Sequence, residues 1–180
     1  MMTINPVRYA RLSILLHWAM FALMAATYAA IELRTFFPKG TEMREDFKTW
    51  HFMLGLTVLL LVIVRIIARL RTTAPPITPQ PSVWQLRAGK LVHLALYVLM
   101  VGMPIGGWLI LSFSGKAIPW FGLSLPALVA PDKALAAQIK DIHETVGTIG
   151  YWLIGLHAAA ALFHHYILKD NTLQRMSPKR

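Results

Sequence analysis

Seven histidines and no cysteine define the chemistry open to this 180-residue chain. Neutral imidazole is a ligand for iron and zinc and a carrier of protons near neutral pH. Without thiolates there are no disulfides, no cysteine-held iron–sulfur cluster and no covalent C-x-x-C-H haem attachment. The most informative interval is the 14 residues from His143 to His157. On a helix that interval spans about 21 Å. At about 100° per residue it also returns both side chains to nearly one face. A second regularity is Lys-x-x-His, found at Lys48–His51 and again at Lys140–His143.

The elements that must carry these histidines follow from composition. Apolar residues make up 56% of the chain and charged residues only 14%, against about 25% charged in a soluble domain. That excludes a disordered chain and argues against a soluble globular one. A bilayer core of about 30 Å needs about 20 apolar residues in a helix. Four stretches qualify, at about 12–33, 51–70, 91–113 and 142–168. They predict an all-α, integral membrane four-helix bundle, one membrane domain over residues 1–180. The first span exceeds the 7–15 apolar residues of a secretory signal, so it is expected to be retained. Pro104 lies inside span three and is expected to kink it. Thr72–Pro81 holds four prolines and reads as a stiff, extended connector. Asp132 is placed to cap the helix that leads into span four. Trp120 and Phe121, in the long connection between spans three and four, suit the headgroup layer.

Four spans put both termini on one side. That side holds eleven of the 18 basic residues, among them Arg65, Arg69, Lys179 and Arg180, and a single acid, Asp170. Seven of the eight acids lie opposite with the other seven basic residues. The Lys and Arg bias predicts cytoplasmic termini. The net charge of +10 is therefore a topology signal and does not call for a nucleic-acid partner.

Threading the histidines onto the spans gives depth. His51 and His143 open spans two and four at the outer surface. His17 and His157 lie toward the inner side on spans one and four. These make two pairs stacked across the membrane, each drawn from two helices. Opposed neutral imidazoles at two depths suit two non-covalent haems b, each iron taking an axial nitrogen from either side. Gly55, Gly147, Gly150 and Gly155 supply the small surfaces a flat porphyrin needs, although small residues also let membrane helices pack. His93, also on the inner side, is an alternative partner for His157. A lone membrane histidine is otherwise an interhelical hydrogen-bonding group. Such histidines could also serve a proton channel or transporter.

Ser13-Ile14-Leu15-Leu16-His17-Trp18, Trp50-His51 with Gly55, Ile142-His143-Glu144, Gly155-Leu156-His157-Ala158 and Lys169-Asp170-Asn171-Thr172-Leu173 together resemble the bacterial cytochrome b-561 family, in its short four-helix di-haem type. The last block is the most specific. The resemblance covers nearly the whole chain and implies that His17 and His157 hold one haem b and His51 and His143 the other. It implies superoxide:ubiquinone oxidoreductase activity in the bacterial inner membrane. Electrons from superoxide at the periplasmic face would pass through both haems to ubiquinone. The same family includes cytochrome b subunits that exchange electrons between the quinone pool and a partner dehydrogenase or hydrogenase, which is the alternative role. Homo-oligomers stay open at this point.

Two substrates imply two further sets of residues. Lys48 and Lys140 lie one turn before outer histidines, where cations would raise the local concentration of the superoxide anion. The bland alternative is that they balance nearby carboxylates. Arg34, at the outer end of span one, has the same claim and the same alternative. His164, two turns beyond His157, is the expected quinone hydrogen-bond partner, with Ser13 second. Each also fits an ordinary interfacial or packing role.

Overall fold

A computed structural model describes residues 8–178, so Lys179 and Arg180 of the charge count lie outside the described residues. Four helices dominate: α1 (Arg11–Leu33), α2 (Glu42–Leu70), α3 (Val83–Phe113) and α4 (Lys133–Tyr166). All four are long and apolar enough to cross a membrane.

The helices run past the apolar stretches, and their polar ends explain where they begin. α2 starts at Glu42, with Glu42 and Glu45 in a first turn whose free amides favour negative charge. α3 starts with a reciprocal cap. The Ser82 side chain accepts from the Gln85 amide at 3.3 Å, and the Gln85 side chain accepts from the Ser82 amide at 2.9 Å. α4 starts at the expected Asp132, whose carboxylate accepts from the amides of Ala134 at 2.9 Å and Leu135 at 3.1 Å. Pro104 sits inside a helix that continues through it to Phe113. The proline-rich segment 72–81 is non-helical throughout.

The long α3–α4 connection holds an element that periodicity did not show. Strands β1 (Ile118–Trp120) and β2 (Leu123–Leu125) form an antiparallel hairpin, with Ile118 opposite Leu125 and Trp120 opposite Leu123. The two-residue loop has positive φ at both Phe121 (45°) and Gly122 (83°), as the turn favoured by twisted strands requires. The hairpin folds down onto the helices. Ile118 is buried with Leu56 of α2 and Leu111 of α3. Trp120, expected among headgroups, is part-buried and donates its indole N–H to the Thr57 hydroxyl at 3.2 Å. Phe121 is exposed.

α1 packs closely on α2, α3 on α4, and α2 on α3, whereas α4 makes no comparably close backbone approach to α1 or α2. The tightest core, Met20, Val58 and Val62 with Tyr97 and Met100 around it, belongs to α1, α2 and α3. α4 reaches α1 through long side chains. The Tyr28 hydroxyl donates to the Gly147 carbonyl at 3.0 Å, and the Tyr151 hydroxyl donates to Glu32 at 2.8 Å. Two faces that stand apart and are bridged by side chains leave room for groups projecting between them.

At the end of the bundle that carries the termini, the segment after α4 closes like a clasp. Asn171 bonds to the backbone and side chain of Thr78. Arg175 is buried and donates to the Pro75 carbonyl. The Tyr9 ring lies between the guanidinium groups of Arg69 and Arg175, 5.3 and 5.5 Å from its centre. The Trp18 indole N–H donates to the Met176 carbonyl at 2.8 Å.

Candidate functional site

The histidines meet where α4 faces the other helices. Near the hairpin end, His51 of α2 and His143 of α4 oppose each other with ring centres 6.3 Å apart and planes at 79°. Near the termini, His17 of α1 and His157 of α4 lie 6.1 Å apart at 74°. His93 of α3 reaches the same place and is closer still to His157, at 5.3 Å. The sequence offered His17 or His93 as the partner of His157; the structure brings both rings to it.

These separations test the fit to a cofactor. An iron about 2 Å from a nitrogen of each ring, in a linear arrangement, sets the two ring centres about 6 Å apart. The His51–His143 and His17–His157 pairs meet that distance, and the His93–His157 pair is short of it. Two imidazoles are too few for a bare metal ion but suit one that brings its own equatorial ligands, as haem iron does. Among the described residues there is no cluster of three or more His, Asp or Glu placed to hold a free metal ion.

The other ring nitrogens sharpen the picture. His51 Nδ1 lies 2.9 Å from the Thr27 carbonyl. A carbonyl only accepts, so this nitrogen carries the proton and Nε2 is left as the free donor atom. His143 Nδ1 is buried without a partner. A Cβ added at Gly106 would lie 3.3 Å from it, and one at Gly107 would lie 3.6 Å from the ring. The Gly106–Gly107 pair, overlooked in the sequence, is thus what admits the His143 ring against α3. His17 Nδ1 is 3.2 Å from the Arg65 guanidinium, which also donates to the Ser13 carbonyl at 3.0 Å. Guanidinium only donates, so ligation through His17 Nε2 requires Arg65 to release this contact and keep its bond to the Ser13 carbonyl.

The glycines divide into two roles. Gly147 faces Met103 and takes the Tyr28 hydrogen bond, and Gly150 lies against Tyr28 and Leu99. Both serve helix packing. A Cβ at Gly55 or Gly155 would meet nothing within 4 Å, so these two mark smooth, open surface on α2 and α4.

The residues sought for substrates are placed as follows. Lys48 pairs with Glu45 at 2.5 Å and Lys140 with Glu144 at 2.7 Å. Lys140 also lines a cavity of about 320 Å³ with Lys116 and Lys133, over a floor of Ile110, Ala136 and Ala137. Lys116 and Lys133 gave no sequence signal because they lie on different elements. Arg34 donates within its own turn, to the Ile31 carbonyl. Ser13 is buried, its hydroxyl without a partner. His164 does not stand alone: its Nδ1 lies 2.5 Å from Oδ2 of Asp170. His165 Nδ1 is buried and unpaired.

A four-helix membrane bundle with opposed histidines at two levels defines a membrane cytochrome b type of protein. Comparison with known proteins agrees: residues 8–179 match the family described as prokaryotic cytochrome b561, and the chain belongs to that family. Family membership carries haem b binding and electron transfer in a bacterial membrane. Among relatives, cytochrome b561 homolog 1 of Escherichia coli K12 is 43% identical, with 96% of this chain and 98% of the relative aligned. A protein of Yersinia pestis named probable superoxide oxidase CybB is 39% identical over 96% of this chain and 97% of its own length. Cytochrome b561 homolog 2 of E. coli K12 is 30% identical over 98% of this chain and 95% of its own length.

Proposed function

We propose that the chain is a di-haem superoxide:ubiquinone oxidoreductase of the bacterial inner membrane, with cytoplasmic termini. The observation that carries this reading is the pair of histidine couples at iron-spanning separations, 6.3 and 6.1 Å, on two levels of one bundle. His51 and His143 hold the outer group, and His17 and His157 the inner one. His93 borders the inner group rather than ligating it, because 5.3 Å is too short for a linear nitrogen–iron–nitrogen axis. Bound haem b supplies reversible one-electron exchange.

The chain's own residues do the rest. The Thr27 carbonyl fixes the His51 tautomer, so that Nε2 would be the atom free to hold a haem iron. Lys116, Lys133 and Lys140 around one cavity form the local cationic surface for superoxide on an outer face that is neutral in sum. Lys48 and Lys140, each paired with a glutamate, add less to it than Lys116 and Lys133. Near the opposite surface, His164 and Ser13 serve the quinone oxygens. In balance, two superoxide ions give two dioxygen molecules and two electrons. Ubiquinone takes these with two protons to become ubiquinol.

The test is to generate superoxide enzymatically in the presence of the purified holoprotein and follow haem absorbance and ubiquinol together. Haem reduction followed by ubiquinol formation is expected, and superoxide dismutase should suppress both. Haems that stay oxidised under superoxide but respond to a co-purifying dehydrogenase would replace this reading with the electron-transfer subunit.

A further inference from the structure

The Lys169–Leu173 block was the most specific motif of the sequence, yet it carried no role. Its geometry is that of a side-chain couple. The Asp170 side chain is only 3% exposed. One of its oxygens lies 2.5 Å from His164 Nδ1, and the other accepts from the Thr172 amide at 2.8 Å. The Asp170 amide in turn donates to the His164 carbonyl at 3.1 Å. Lys169 takes a positive φ of 54° to make this tight return. Neighbouring Asn171 pins the turn to Thr78. Burial works against a charged Asp170, but the hydrogen bonds from His164 and Thr172 outweigh it and hold the carboxyl below its usual range. An ionised carboxylate only accepts. The proton between the two residues therefore belongs to His164 Nδ1.

A second observation gives this couple a face to water. A cavity of about 180 Å³, lined by Pro79, Gln80, Ser82, Gln85, Leu168 and Asp170, opens between the proline connector and the start of α3. Asp170 forms part of the wall of that cavity.

We propose that Asp170 is the positioning residue of the quinone site: it locks His164 with its proton on Nδ1 and so dedicates Nε2 to proton exchange with a quinone oxygen. The proposal deepens the quinone reading and rests on it. In the step, doubly protonated His164 gives its Nε2 proton to an oxygen of the reduced quinone. The O–H bond forms, the Nε2–H bond breaks, and neutral imidazole remains with Nδ1–H on Asp170. Water at the cytoplasmic surface returns a proton to Nε2. Two such turns, with the two electrons of the overall reaction, complete one ubiquinol. The rest of the motif serves the same end: Asn171 and Thr172 hold the carboxylate against the His164 ring.

The experiment uses the full haem-loaded chain with ubiquinone-1 as acceptor. Asp170→Asn should lower kcat by about 10–100-fold, the range of a lost acid–base contribution, with KM for the quinone unchanged. Asp170→Glu should recover most of the rate. Formate, small enough for the cavity, should restore part of the activity of Asp170→Ala in proportion to its concentration. Independently of turnover, nitrogen-15 spectra of the wild-type chain should show His164 protonated on Nδ1. An Asp170→Asn variant with wild-type kcat overturns the proposal. So does a wild-type His164 carrying its single proton on Nε2, a result that needs no variant to fold. Failure of the wild-type protein to reduce ubiquinone at all would instead refute the quinone reading, and the nitrogen-15 result would still stand apart from it.

Discussion

A ring that ligates through one nitrogen is governed by what holds its other nitrogen, and the four paired histidines differ in this. His51 is oriented by a carbonyl at 2.9 Å, His143 has only glycine backbone beside it, and His17 faces a guanidinium. His143→Ala and His157→Ala should each remove about one haem of two, read by the pyridine haemochrome assay. Retention of both haems in either variant would refute the pairing. Gly107→Val, which crowds the ring from α3, should lower outer haem content in the same assay while leaving the inner haem bound. At the clasp, the folded Asp170 carboxyl titrates below its ordinary value of 3.8. Its contribution to stability is therefore complete above that value and is lost as pH falls through the lower one. Hydrogen exchange at the Thr172 amide should accelerate across that window. The Asp170→Asn variant should show no such step.

At the scale of elements, the separation of α4 from α1 and α2 is what distinguishes this bundle from a solidly packed one. Gly55 and Gly155 face open surface, so Gly55→Phe and Gly155→Phe should lower haem content with helicity by circular dichroism unchanged. Gly150→Leu acts differently. It collides with Tyr28 and Leu99, and should cost about 1 kcal/mol through the lost Tyr28–Gly147 hydrogen bond alone. A lowered Tm would report it. The spans, the Asp132 cap and the extended 72–81 connector were legible because each is written in a short, contiguous pattern. Depth was legible too, since rise along a helix is linear in residue number. What could not be read was azimuth between helices. Nothing local announces that His17 and His93 both reach His157 rather than one replacing the other, that Gly106 and Gly107 admit His143, or that Arg65 reaches His17. The hairpin escaped because three-residue strands carry too little alternation to register.

For the molecule as a whole, charge and the lack of cysteine become experimental handles. Any single cysteine introduced is unique. One at Ser177 should react with a membrane-impermeant maleimide only from the cytoplasmic side, and one at Gly122 only from the periplasmic side. The reverse labelling would invert the topology. In the proposed orientation the face opposite the termini is neutral in sum, so the proposed attraction of superoxide there is local, through Lys116, Lys133 and Lys140. Changing all three to Gln should lower kcat/KM for superoxide and flatten its salt dependence, since exposed charges are screened over about 10 Å at 0.1 M salt.

The clasp at the termini also bears on how the molecule is made. Asn171 and Arg175 follow all four helices in the chain, yet they tie down Tyr9 near its start and Pro75 and Thr78 midway. In a chain synthesised from its N-terminus, that knot is tied last, after the membrane segments have emerged. Until then α4 is held to α1 mainly by tyrosine side chains, and its flank stays accessible to a large flat guest. The tail thus works as a drawstring: its contacts join the two ends and the middle of the chain, and they form only once the last helix is in place.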